Sequence, residues 1–170
     1  MATTMKLIAK NLLTGSAADV TFSSIPSSPY TDLCVVCSTR SDRNTGTADN
    51  LIMEFNGSTS SYTYRALYGT GSAALSLNAS TSVIGVSNQA TNTSSTFSSA
   101  EIYIPNYAGS TNKSSSAFSA METNASSVEM WAVASLWSDT AAITSIKLKP
   151  SGAGNWVSGS SFFLYGITKA

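Results

Sequence analysis

The sequence has no histidine, two cysteines and few charges, and each shortage excludes a class of chemistry. Its 170 residues include 9 acidic and 9 basic side chains. Histidine is the commonest general base and metal ligand in proteins, so the usual hydrolase triads are excluded. Two cysteines cannot complete a zinc site, which needs four soft or nitrogen ligands. We therefore expect no catalytic centre, no metal and no cofactor.

The sequence also lacks a basic patch and a long apolar run. Its 9 basic residues are scattered, so they offer no dense surface for releasing phosphate counterions. Nowhere do about 18 apolar residues follow one another, and the first ten residues have no signal-peptide core. We expect neither a nucleic-acid nor a membrane partner, and synthesis in a cytoplasm.

What is present is polarity without charge, combined with enough apolar residues for a core. The chain has 33 Ser and 20 Thr, and 42% of its residues are hydrophobic. Disordered chains lack that apolar fraction. A chain of this length fits one domain, so residues 1–170 are predicted to form a single unit.

The apolar residues come in short clusters separated by Ser, Thr, Asn and Gly, which is typical of strands joined by turns. One predicted turn is Asn56-Gly57. About eleven strands are predicted. They cover residues 6–13, 19–25, 31–40, 51–56, 62–68, 82–86, 97–104, 115–122, 128–137, 143–149 and 161–167. The fold class predicted from this spacing is all-β: an antiparallel, jelly-roll-like β-sandwich. The polar stretch 87–99 is interpreted as a long loop or a frayed edge.

The alternation of apolar residues predicts which faces of the strands are buried. Period two in residues 51–56 and 101–104 predicts one wet and one dry face. Residues 33–37 and 130–134 are apolar on both faces, so each belongs to a central strand covered on both sides or to a strand at a subunit contact. Residues 128–137 also match a helical stripe, but the strand reading is favoured.

The two cysteines, Cys34 and Cys37, form a Cys-x-x-Cys motif inside a predicted strand. Residues three apart on a strand point to opposite faces, which does not suit a disulfide between them. Both are interpreted as buried small hydrophobic residues.

Carboxylates are the remaining candidates for catalysis, because a glycosidase needs two of them about 5–9 Å apart. The available residues are Asp32, Glu54, Glu101, Glu122, Glu129 and Asp139. Their spacing pairs no two of them, so an enzyme acting on polysaccharide is the weakest hypothesis.

Aromatic residues could form either core or a flat ligand platform. A core role is favoured for these residues as a group, and Trp156 and Tyr107 are the members most expected to be exposed, because they lie in turn contexts. With Tyr103 they form the predicted interface or ligand platform.

Several segments, in this order, resemble small β-sandwich virion proteins of tailed phages. They are residues 22–26 (FSSIP), 30–33 (YTDL), 55–58 (FNGS), 62–64 (YTY), 67–69 (LYG), 101–107 (EIYIPNY), 136–137 (LW), 142–146 (AITSI) and 164–167 (LYGI). The resemblance covers about residues 7–167, and no catalytic residues belong to the family pattern.

The resemblance implies a virion protein of the capsid decoration, or cement, type. Such a protein binds the major capsid protein at capsomer junctions, stabilises the head and associates with itself, commonly as a trimer. The alternative is a receptor- or carbohydrate-binding module of a tail or head fibre. Residues 1–13 are interpreted either as an arm that reaches a neighbour or as the first strand.

Overall fold

The computed structural model describes residues 4–124 and 128–168, and these fold into twelve strands without a helix. The strands are β1 (Met5–Leu12), β2 (Val20–Phe22), β3 (Asp32–Thr39), β4 (Asp49–Phe55), β5 (Tyr62–Gly69), β6 (Ala74–Ala79), β7 (Val83–Ser87), β8 (Ser98–Ile104), β9 (Lys113–Glu122), β10 (Val128–Trp137), β11 (Ile146–Pro150) and β12 (Ser161–Ile167). No helix able to cross a membrane occurs in these two ranges.

The strands form two antiparallel sheets. The large sheet has eight strands in the order β1-β12-β3-β8-β9-β10-β5-β6, and the small sheet has four in the order β2-β11-β4-β7. Strand β7 contacts β8, β9 and β10 of the large sheet. The predicted antiparallel β-sandwich is therefore confirmed.

One aromatic cluster shows how the two sheets share a core. Phe55 of the small sheet lies 5.6 Å, between ring centroids, from Trp137 of the large sheet and 6.2 Å from Tyr62. The Tyr62 hydroxyl also accepts a hydrogen bond of 2.7 Å from the Phe55 backbone N–H. Burial of these rings supplies apolar stabilisation, and the hydroxyl satisfies a backbone donor inside the sandwich.

The predicted turn at Asn56 and Gly57 is confirmed, and it also ties two loops together. Both residues have positive φ, +52° and +73°, as a type I′ turn requires. The Asn56 side-chain oxygen accepts hydrogen bonds from the backbone N–H groups of Thr144 and Ser145. The turn therefore anchors the segment that leads into β11.

Eleven strands were predicted, and residues 4–124 and 128–168 contain twelve, because β6 (Ala74–Ala79) was missed. Its residues are mostly exposed at one edge of the large sheet, and although Leu75 and Leu77 alternate with polar residues, the run is short and has no β-branched or aromatic residue. The strand interpretation of Val128–Trp137 is confirmed with the same bounds. In the described part of residues 1–13, β1 pairs with β12.

Strand β4 contradicts the prediction of one wet face. Ile52 and Glu54, predicted to face solvent, are both buried. In the pairing register Glu54 lies opposite Lys147 and Ile52 opposite Lys149, and the Glu54 carboxylate binds the Lys149 ammonium at 2.6 Å. The long lysine side chains beside them provide the physical reason, because their aliphatic stems cover apolar surface while their charged ends reach a carboxylate.

The long-loop interpretation of the polar stretch 87–99 is correct for the residues between β7 and β8, and the frayed-edge alternative is wrong. Ser87 ends β7, Ser98 begins β8, and the residues between them wrap around the buried side chain of Arg40. The Arg40 guanidinium donates hydrogen bonds to the carbonyl oxygens of Thr93, Thr96 and Asn92 at 2.9, 3.0 and 3.1 Å. Burial lowers the pKa of Arg40. One cation thus organises a polar segment that has no apolar pattern of its own.

Candidate functional site

The expected exposure of Trp156 and Tyr107 is wrong, since both side chains are 0% exposed. The Trp156 indole N–H donates to the Leu148 carbonyl at 3.1 Å, and its ring packs on Phe162. The Tyr107 hydroxyl donates to the Pro26 carbonyl. Each residue does lie between strands, but its large ring folds back over the core, where burial is favourable once the polar tip is bonded.

Tyr103, the third predicted residue, is exposed at 38% and lies on the outer face of the large sheet. Its hydroxyl donates to Asp32 Oδ2 at 2.8 Å, and this hydrogen bond is the main cause of its raised pKa. The other Asp32 oxygen accepts from the Asn106 backbone. The structure therefore separates Tyr103 from Trp156 and Tyr107, and the three do not form one platform.

Five of the six carboxylates considered for catalysis make local structural contacts. Asp32 binds Tyr103, Glu54 binds Lys149, Glu122 accepts from the Asn124 N–H, Glu129 accepts from the Trp131 indole and Asp139 accepts from the Ala141 N–H. Glu101 remains, exposed on the outer face of the large sheet. These contacts orient turns and strand ends.

The two cysteines are free and buried, as predicted. Cys37 belongs to the core between the sheets, whereas Cys34 lies on the opposite face of β3, between Tyr103 and Tyr165 of the neighbouring strands. Burial raises the pKa of Cys34 to about 11 and that of Cys37 to about 12. Because the thiolate is the nucleophile, neither thiol is activated at neutral pH.

The outer face of the large sheet carries an exposed apolar surface that the sequence analysis did not locate. Leu67, Met130 and Phe118 are 68%, 53% and 51% exposed. Leu67 of β5 is opposite Ala132 of β10, and Ala132 is opposite Phe118 of β9. We call these four residues, Leu67, Phe118, Met130 and Ala132, the Leu67 patch.

One sequence signal did point to the Leu67 patch. Residues 130–134 are apolar on both faces, which predicted either cover on both sides or a subunit contact. Trp131 and Val133 point into the core, while Met130, Ala132 and Ala134 are exposed. Within the described residues nothing covers that second face, so the subunit-contact alternative stays a prediction.

A second exposed apolar surface lies at the other end of the large sheet. Met5, Leu7 and Leu12 of β1 are exposed, and β1 is the edge strand beyond β12. In the register they lie opposite Ile167, Tyr165 and Ser161 of β12. An edge strand also offers free backbone donors and acceptors to a partner. We call Met5, Leu7 and Leu12 the β1 edge.

Among residues 4–124 and 128–168, no three His, Cys, Asp or Glu side chains are grouped as metal ligands. No family model, curated protein or solved structure matches this chain. The candidate site therefore consists of the two apolar surfaces on the large sheet.

Proposed function

We propose that this chain is a non-catalytic structural protein of a phage particle, a capsid decoration protein that binds the shell of the head and its own neighbours. The observation that carries the proposal is the pair of exposed apolar surfaces on one sheet, the β1 edge on its edge strand and the Leu67 patch on strands β9, β10 and β5. A protein that cements a shell needs at least two such contacts on a rigid body.

The physical properties of the sandwich support this role. Exposed contiguous apolar side chains on a soluble protein are typical of protein contacts. With only 11% charged residues, the surface can be covered without removing many charges from water. Binding that requires correctly placed capsomers stabilises the assembled shell by mass action.

The order of segments that resembles virion sandwiches supports the phage assignment, and the β1 edge supports the capsid contact. Three exposed apolar side chains flank an open strand edge there, so a shell protein can add a strand and fill the apolar surface together. The fibre alternative has less support, because it relied on Trp156 and Tyr107 as sugar-stacking rings and both are buried.

The test is addition of the purified protein to heads of the encoding phage that were prepared without it. We expect saturable binding and a higher temperature of DNA release. Heads that bind no protein, or that bind it and melt at the same temperature, would contradict the proposal.

Matched variants locate the contact. Leu7→Lys and Leu12→Lys place a charge in the β1 edge and should weaken head binding at least about tenfold. Thr59→Lys adds the same charge on an exposed turn and should bind like the unmodified chain. Equal binding by all three variants would remove the β1 edge from the proposal.

A further inference from the structure

The shape of the Leu67 patch is complementary to that of a second copy of itself. Leu67 stands between two shallow grooves of about 570 and 510 Å³, and Ala132 lines both. Phe118 and Met130 line the groove on one side, and Arg65 and Ala134 line the groove on the other. Large side chains and small-residue depressions therefore alternate across three neighbouring strands, β5, β10 and β9.

Two charges of opposite sign flank the patch. Arg65 of β5 and Glu101 of β8 are exposed on the same face, and neither forms an ion pair with the described residues. Arg65 lies in the pairing row of Ala134, Ser116 and Tyr103. Glu101 lies in the adjacent row of Phe118, Ala132 and Leu67. With strands about 4.8 Å apart, their Cα atoms are about 16 Å from each other.

This arrangement suits a two-fold axis parallel to the sheet. In a two-fold contact, residue i of one copy meets residue j of the other, and j meets i. An axis that bisects the line from Arg65 to Glu101 passes beside Ala132. It brings each Arg65 over the other copy's Glu101, and each Leu67 beside the other copy's Phe118. The smallest side chain thus lies where two copies approach most closely.

We propose that two copies of this chain associate face to face through the Leu67 patch, with reciprocal Arg65–Glu101 pairs at its flanks. Charge complementarity favours a second copy as the occupant, because the surface carries one cation and one anion in positions that a two-fold rotation exchanges. A two-fold contact gives a dimer, whereas the resemblance to virion proteins implies a trimer. The dimer stands on the patch itself and is independent of head binding.

The test is sedimentation of the full chain, whose monomer mass is 17.6 kDa, over a range of concentrations. We expect a monomer–dimer equilibrium. Ala132→Glu places two carboxylates beside the axis and should weaken the dimer at least about tenfold, while Thr59→Glu on an exposed turn should leave it unchanged. Circular dichroism and the melting temperature verify that both variants fold.

A charge exchange makes the test specific to the proposed pairing. Arg65→Glu and Glu101→Arg should each weaken the dimer about tenfold, and the double variant should restore it, because each new pair again joins two copies. A chain that stays monomeric, one that forms a trimer, or a dimer that resists Ala132→Glu would overturn the proposal. A double variant that dimerises no better than the single ones would overturn it as well.

Discussion

Side chains of the same kind are buried in one region of the large sheet and exposed in another. Phe162 of β12 is completely buried against Trp156, whereas Phe118 of β9 is half exposed. Arg40, which follows β3, is buried in the loop between β7 and β8 and bonded to carbonyl oxygens, whereas Arg65 of β5 is exposed on the outer face. The inner face holds the fold together, and the outer face exposes apolar and charged side chains. Matched substitutions on the two faces measure this difference.

The largest effect is expected from removing one phenyl ring on each face. Phe162→Ala leaves a cavity in the core and should lower the free energy of unfolding by about 3–5 kcal/mol. Phe118→Ala, at concentrations where the chain is monomeric, should change it by about 1 kcal/mol or less. Urea unfolding of both variants checks this. Similar losses from the two changes would mean that the faces do not differ as described.

The next effect concerns the two arginines. Arg40→Met keeps an apolar stem but removes the guanidinium that donates to the carbonyls of Thr93, Thr96 and Asn92, so we expect a loss of about 3 kcal/mol. Arg65→Met should cost less than about 0.5 kcal/mol. Hydrogen exchange at residues 89–97 should rise in the Arg40 variant alone. Unchanged exchange there would show that Arg40 does not organise this loop.

High pH should lower the stability that the buried inner face contributes to the fold. Burial raises the pKa of Cys37 from 9.0 to about 12 and that of Tyr62 from 10.0 to about 12. Because these groups ionise first in the unfolded chain, their stabilisation is complete below pH 9 and is lost as the pH rises towards 12. The melting temperature should fall across this range, and more gently in Cys37→Ala. A melting temperature that is constant up to pH 11 would contradict the expectation.

The smallest effect compares two tyrosine hydroxyls. Tyr62→Phe leaves the buried Phe55 N–H without its acceptor and should cost about 1–2 kcal/mol. Tyr103→Phe removes an exposed hydrogen bond to Asp32 and should cost about 0.5 kcal/mol or less. Denaturant midpoints measure both. A larger loss of stability from Tyr103→Phe than from Tyr62→Phe would contradict this expectation.

Local sequence pattern was enough for most of the strands. Val128–Trp137 and Ser161–Ile167 were predicted with their observed bounds, since apolar clusters between turn residues indicate strands directly. The Asn56-Gly57 turn could be predicted because its positive φ angles favour those two residues. Strand β6 was missed although Leu75 and Leu77 alternate with Ser76 and Asn78, because this short edge strand has no β-branched or aromatic residue to mark it.

The residues of the candidate site were harder to predict from the sequence than the strands were. A turn context does not reveal that Trp156 and Tyr107 fold over the core, because the Trp156 backbone pairs with Ala17 and the Tyr107 hydroxyl bonds to Pro26. Similarly, Arg40 shows no sign in the sequence of the loop that it holds. These contacts join residues far apart along the chain.

The sequence by itself determined the all-β class, the opposite directions of Cys34 and Cys37, and the shortage of groups for acid–base or metal chemistry. These properties follow from composition and from the two-residue period of a strand. Only the tertiary structure decided that Leu67, Phe118, Met130 and Ala132 lie side by side. The physical reason is strand order, because β5, β9 and β10 become neighbours through hydrogen bonds between distant segments. A patch formed across strands has no signature within any one of them.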